Sequence, residues 1–330
     1  MSALTAQSPY EAYVYAYPHK TAYRALDAPR PLSEVWAHED QRALSLYVHV
    51  PFCEMRCGFC NLFTTVKPGE GITRRYVDAL GRQARQVRAA LSPQARFARL
   101  AIGGGTPSFL SVAELEDLFA LLTQVMGADV AAIPTSFELS PETASAEKLD
   151  LLRAVGVDRV SIGVQSFLDA EVEAVHRDQR AAQVHQTLDL IRARQLPTLN
   201  IDLMYGLPGQ TPDSWGHSLR EALRHHPEEL YLYPLYVRPL TRLGLSDAEW
   251  DDLRLQLYRQ GRDLLLDSGY KQVSMRMFRR AGAPGVEGPV YCCQEDGMVG
   301  LGCGARSYTK SLHYSSAYAV GPMQVKAIIR

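Results

Sequence analysis

Apolar and polar positions along the chain follow two alternating rhythms. Short apolar, β-branched or aromatic runs fall at Leu46–Val50, Leu100–Ile102, Ser136–Leu139, Arg159–Val164, Asn200–Tyr205 and Leu230–Leu235. Runs of this length and makeup predict strands. Between them lie longer stretches whose apolar residues recur three and four apart, the spacing of one helix face. Leu115, Leu118, Phe119, Leu122 and Val125 form one such stripe, and Val184, Leu188, Ile191 and Leu196 another. Ser111 with Glu114 has the spacing of a capping box opening the second helix of the series. Six strand-then-helix units in succession predict an α/β fold, a parallel sheet with helices on its outside. In such sheets chemistry collects at the C-terminal ends of the strands. The unusual residues fall there: a cysteine loop after the first run, glycines after the second, then Glu138, Gln165 and Asp202.

The flanks break the rhythm. The tract to Arg42 is irregular and rich in tyrosine (Tyr10, Tyr13, Tyr15, Tyr17, Tyr23), a pattern suited to packing across a barrel surface. Beyond Arg238 the sequence predicts one amphipathic helix over Asp247–Ser268 and a strand over Tyr270–Phe278. A Gly/Pro-rich link, Ala281–Pro289, then leads to a small cysteine-bearing segment ending near Tyr308. The reading divides the chain into 1–42, a core of 43–240 and an extension of 241–330.

Composition narrows the function. With 46% hydrophobic and 22% charged residues the chain has the makeup of a folded globular protein. A net charge of -1 gives no basic field for nucleic acid. No apolar run approaches the roughly 18 residues of a membrane span, and Met1 to Tyr10 lack a signal-peptide pattern. The expectation is a cytoplasmic protein. Three of the six cysteines crowd into eight residues, which points to metal chemistry rather than a disulfide scaffold.

The crowded run is Tyr47-Val-His-Val-Pro-Phe-Cys53-Glu-Met-Arg-Cys57-Gly-Phe-Cys60. Thiolates suit zinc or iron–sulfur clusters. Structural zinc prefers four ligands, and this loop supplies three, since Leu62 cannot ligate. Spacing alone leaves open a zinc site completed by His49, Cys292 or Cys303. Three thiolates on a four-iron cluster would instead leave one iron open to a ligand.

Cys-x3-Cys-x2-Cys directly after a strand, with Phe59 before the last cysteine, resembles the signature of radical S-adenosylmethionine (SAM) enzymes. The flanking Tyr47-Val-His-Val-Pro-Phe is similar to their HemN-like branch, which holds oxygen-independent coproporphyrinogen III dehydrogenases, HemW-type haem chaperones and HemN-like methyltransferases. The similarity runs from about Leu44 to Tyr308. It implies a partial (β/α)6 barrel, a [4Fe–4S] cluster on Cys53, Cys57 and Cys60, and reductive cleavage of SAM to a 5'-deoxyadenosyl radical. A flavodoxin- or ferredoxin-type protein would supply the electron. Gly104, Gly105 and Thr106 match the element that meets the methionine end of SAM. Tyr47 and Glu138 match further contacts to the cluster-bound SAM. Phe59, Gln165, Arg177 and Asp202 match positions near a second SAM, so the resemblance allows one SAM or two.

Three departures bear on substrate. Leu62 stands where the dehydrogenases carry another cysteine, Tyr291-Cys-Cys-Gln replaces the chaperones' haem motif, and the branch's C-terminal helical domain is absent or only begun at Arg330. Tyr236 replaces a small residue and Arg306 an aliphatic one, reducing and repolarising the space. The expected reaction is oxidative decarboxylation of a coproporphyrinogen III-like substrate in porphyrin biosynthesis. The alternatives are HemN-like methyl or methylene transfer to a non-porphyrin substrate, and a haem-binding chaperone without catalysis. Cys292, Cys293 and Cys303 read as small buried thiols, with a redox or auxiliary metal role as the sharper alternative.

Overall fold

The computed structural model of the chain describes residue 10 and residues 22–237, 241–246, 252–284, 291–319 and 322–329. A short helix, α1 (Leu32–Trp36), precedes β1 (Leu44–Val50). The cysteine loop follows, flanked by the two-residue strands β2 (Phe52–Cys53) and β3 (Thr65–Val66), which pair with each other. Then come α2 (Ile72–Ala90), β4 (Phe97–Gly104), α3 (Val112–Leu121), β5 (Thr135–Leu139), α4 (Ala146–Ala154) and β6 (Arg159–Gln165). Next are α5 (Asp169–Ala174), α6 (Ala181–Ala193), β7 (Thr198–Tyr205), α7 (Pro212–Arg224), β8 (Glu229–Pro234) and α8 (Arg254–Asp267). The chain ends on β9 (Tyr270–Gln272), β10 (Met277–Arg280), β11 (Met298–Leu301), β12 (Arg306–Tyr308), β13 (His313–Ser315) and α9 (Pro322–Ile329).

All six expected strands form, in one sheet ordered β13-β12-β11-β1-β4-β5-β6-β7-β8-β10-β9. From β11 to β8 every neighbour is parallel, and the outer strands add antiparallel. The sheet stays open, consistent with a partial barrel. Most strands outrun the apolar runs, β4 most of all, because their ends carry residues such as Arg99 and Gly103, which give no hydrophobic signal. Helices cover the outside: α3 and α6 bury the predicted stripes through Leu115, Leu118 and Phe119 and through Val184, Leu188 and Ile191, while α2 buries Tyr76, Leu80 and Val87 and α7 buries Trp215 and Leu219. Each such side chain contributes about 1.5–3 kcal/mol of apolar burial. The Ser111–Glu114 capping box is present in both directions, and Thr211–Ser214 forms a second before α7.

Three expectations need correction. The helix expected over Asp247–Ser268 spans Arg254–Asp267; residues 247–251 lie outside the described set, and Asp252 instead binds the backbone and guanidinium of Arg254. Tyr270–Phe278 is not one strand but the hairpin β9–β10, reversed where Ser274 Oγ accepts from the Arg276 and Met277 amides. A serine-built turn lacks the Gly or Asn signal that marks hairpins in sequence. The α3 stripe ends in one wide π turn, Leu122–Met126, closed by Gly127. Of the N-terminal tyrosines, Tyr10 packs its ring 6.2 Å from Tyr205 and Tyr23 lies under Arg306; Tyr13, Tyr15 and Tyr17 lie outside the described residues.

Candidate cluster and substrate site

Side chains alternate along strands, so each parallel strand points every second residue into the lumen. Register then aligns Glu138 with Ser161, Ser161 with Asn200, and Asp202 with both Gly163 and Tyr231. Below this layer Arg159 donates to Glu229 at 2.7 Å and to Ser136 Oγ at 3.0 Å, so its charge is paired. Above it the strand ends open into two adjoining chambers.

The smaller chamber has a volume of about 250 Å³. Cys53, Cys57 and Cys60 open into it together with Phe59, Gly104, Gly105 and Thr106, and with Glu138, Gln165, Arg177 and Asp202 from four further points of the rim. The larger chamber, about 560 Å³, is lined by Tyr47, His49, Phe63, Tyr233, Tyr236, Arg306 and Tyr308. Phe59, Cys60, Leu62, Gln165 and Asp202 border both. Tyr47 therefore faces the larger chamber, and every other expected residue faces the smaller one.

The cysteine loop is held by its neighbours as well as by its own bond from Cys60 N to Cys57 O at 3.1 Å. Gly58 N donates to Val175 O at 2.7 Å, and its carbonyl accepts from Leu243 N. Arg177 Nη1 donates to Cys57 Sγ at 3.3 Å while Nη2 donates to Gly163 O at 2.6 Å, tying the loop to the end of β6. Thr106 Oγ1 reaches Cys53 Sγ at 3.7 Å. Gly105 lets the β4 turn pass under the loop: a Cβ there would lie 2.7 Å from Phe52 O and 2.9 Å from Cys53 Sγ.

At the end of β6, Gln165 adopts φ 70, beside a register shift against β7. A bulged, left-handed non-glycine residue is costly and re-aims its side chain, here onto the border of both chambers.

Among the described residues no three His, Cys, Asp or Glu side chains converge closely enough to share one metal ion. Three thiols opening on one chamber suit the larger body of a [4Fe–4S] cluster better than a single zinc ion. Thr64, buried on the same wall, sets its hydroxyl against the Cys60 thiol. The donor set therefore fits the cluster. Burial pushes the Cys53 thiol up to about 12 and raises Cys60 as well, so iron must displace the protons on binding.

Glu138 is accessible from the chamber but enclosed by the sheet, and its Oε2 accepts from Gly104 N at 3.1 Å. That enclosure, and then the neighbouring Asp202, raises its pKa to about 7. Enclosure also lifts Asp202, to about 6, opposed by a hydrogen bond from Asn200 Nδ2 at 2.7 Å and by Arg159. Two carboxylates with raised pKa favour a cationic ligand, whose charge offsets the cost of ionising them there.

His49 lines the larger chamber beside Tyr47. Its Nε2 lies 2.8 Å from Phe63 O, an acceptor, so that nitrogen carries the proton. Burial keeps the ring neutral, leaving Nδ1 to accept from Tyr47 Oη at 3.0 Å. The Tyr47 oxygen thus faces the larger chamber only as an acceptor. Sequence reasoning missed this clamp, and missed Gly58, Thr64, Ser161 and Gln179. Ser161 alone carried a signal, standing in strand phase with Gln165. Cys292, Cys293 and Cys303 are half-buried rather than buried, and none lines either chamber.

The sequence model of the Radical SAM superfamily matches residues 47–222. The oxygen-independent coproporphyrinogen III oxidase of Pseudomonas aeruginosa is 30% identical, over 94% of this chain and 71% of its own. Heme chaperone HemW of Bacillus subtilis is 30% identical, over 80% of this chain and 70% of its own. Among solved structures, the coproporphyrinogen III oxidase HemN of Escherichia coli, a radical SAM enzyme, aligns with a TM-score of 0.82 at 26% identity, over 96% of this chain and 76% of that one. The chain spans only 55% of the Cereibacter sphaeroides oxidase and 54% of that from Paracoccus denitrificans. Among the described residues no helix is long and apolar enough to cross a membrane.

Proposed function

The chain belongs to the radical SAM superfamily and to the family of the oxygen-independent coproporphyrinogen III oxidases, and on that premise we propose that it oxidatively decarboxylates a coproporphyrinogen III-like tetrapyrrole. It is a radical SAM enzyme, and its cofactors are a [4Fe–4S] cluster and SAM. When bound and reduced, they supply a 5'-deoxyadenosyl radical able to take a hydrogen atom from carbon.

The residues divide that work between the chambers. Cys53, Cys57 and Cys60 hold the cluster, and Thr106 and Arg177 fix two of the sulfurs by hydrogen bonds. The backbone of Gly104 and Gly105 lets SAM approach closely, and Glu138 binds its ammonium or ribose. Gln165 and Asp202, on the border, orient whatever spans the two spaces. Tyr47, Phe59 and the aromatic wall exclude water and receive the substrate. A cytoplasmic reductant of flavodoxin or ferredoxin type provides the electron.

The observation that carries this reading is the shared border: a thiol-lined chamber opens directly beside an aromatic one large enough for a small-molecule site. Protein reconstituted anaerobically with iron and sulfide, then reduced with SAM and coproporphyrinogen III, should release 5'-deoxyadenosine and carbon dioxide together. SAM cleavage without decarboxylation would redirect the search to non-porphyrin substrates; haem binding without any SAM cleavage would favour a chaperone.

A further inference from the structure

The larger chamber holds few charges. Among its described lining residues Asp202 is the one carboxylate and Arg306 the one guanidinium or ammonium, and Tyr233, Tyr236 and Tyr308 line the same space. Two of its polar groups accept: Asp202 on β7, and Tyr47 on β1, whose proton is committed to His49. Arg306 belongs to another part of the fold. It lies on β12, outside the six β/α units, in register with Ser315 of β13. Its guanidinium carbon sits over the ring of Tyr23 at 5.2 Å, a contact made through the guanidinium face. All five N–H donors of arginine lie in the guanidinium plane, the geometry that receives a planar carboxylate bidentately.

From this arrangement we propose that Arg306 is a specificity residue, receiving a carboxylate of an N–H-bearing ligand in the larger chamber. The ligand's donors face Asp202 and Tyr47, and its body packs between the tyrosines. The inference deepens the proposed function and rests on it: a porphyrinogen offers both pyrrole N–H groups and carboxylate side chains. The same chemistry has a second source, the methionine carboxylate of an additional SAM.

The test uses the full chain, reconstituted and anaerobic, with coproporphyrin III as a stable fluorescent probe beside its tetramethyl ester. Arg306→Leu should weaken binding of the free acid roughly ten- to hundredfold and leave the ester unchanged, and Arg306→Lys should recover part of the loss. Equilibrium dialysis with labelled SAM on the same samples distinguishes the sources. A fall from two bound SAM to one in Arg306→Leu, with porphyrin affinity intact, assigns the carboxylate to SAM. Wild-type porphyrin and SAM binding in both variants, at full iron content, overturns the proposal. Should Arg306→Leu lose iron, Arg306→Lys and Arg306→Gln carry the same acid-against-ester comparison. A wild-type protein that separates acid from ester yet decarboxylates nothing would sink the proposed reaction and leave the assignment of Arg306 standing.

Discussion

The two chambers share a border but are built differently. The smaller is framed on tightly held main chain: the cysteine loop, the Gly103–Thr106 turn and the end of β6, locked by Gly58, Arg177 and Glu138. The larger is walled by side chains, several of them tyrosines, from β1, β8 and the late strands β11 and β12. Main-chain walls hold one shape and suit a fixed cofactor. Side-chain walls can be resized by substitution at little cost to the fold, which suits substrate choice.

The largest effect expected on either side is that of Cys57→Ala. It should drop iron from about four atoms per chain to near none and abolish SAM cleavage. Coproporphyrin binding in the larger chamber should survive; its loss would mean the chambers are not separable.

Glu138→Gln and Asp202→Asn sharpen the border. Each should weaken SAM binding roughly ten- to hundredfold at full iron content, the worth of hydrogen bonds to a charged group. Glu138→Gln should suppress 5'-deoxyadenosine, whereas Asp202→Asn should spare that release and reduce decarboxylation. Equal behaviour in the two variants would erase the distinction.

The pH dependence has a definite sign. Glu138 must be ionised to hold a cation, and its pKa is raised to about 7, so SAM affinity should fall as pH drops below about 7. In the ligand-free protein the same raised pKa works oppositely. The folded state binds the proton more tightly than the unfolded chain, so this group's stabilisation is complete below the ordinary carboxylate range and is lost as pH rises through about 7. Glu138→Gln should flatten both trends, read by equilibrium dialysis and by urea unfolding between pH 5 and 8.

Gly105→Ala tests the main-chain wall. A Cβ pressed against Phe52 O and Cys53 Sγ should cost about 1–3 kcal/mol in urea unfolding and lower iron uptake. The smallest effect belongs to the side-chain wall. Tyr236→Ala should leave stability and iron content near wild type and change porphyrin affinity several-fold, as expected for about 0.5–1.5 kcal/mol of aromatic contact. A stability loss in Tyr236→Ala as large as that in Gly105→Ala would break the comparison.

The sequence alone determined the six β/α units, the parallel sheet and the cysteine loop. Strand and helix periodicities are local, and Cys53, Cys57 and Cys60 lie within one turn of chain. The strand ends at Glu138 and Asp202 were legible too, because α/β topology fixes which end bears chemistry. Tertiary structure decided the rest. The β9–β10 reversal depends on Ser274, a residue common in many settings. The left-handed Gln165 arises only where β6 slips against β7. That Tyr47 faces the aromatic chamber, with its proton given to His49, follows from the position of Phe63 O, fourteen residues away along the chain from His49. Arg306 meets Asp202's chamber only because β11 pairs with β1, across more than two hundred residues of chain. Periodicity records what one segment buries; it carries no information on which distant segment completes the wall.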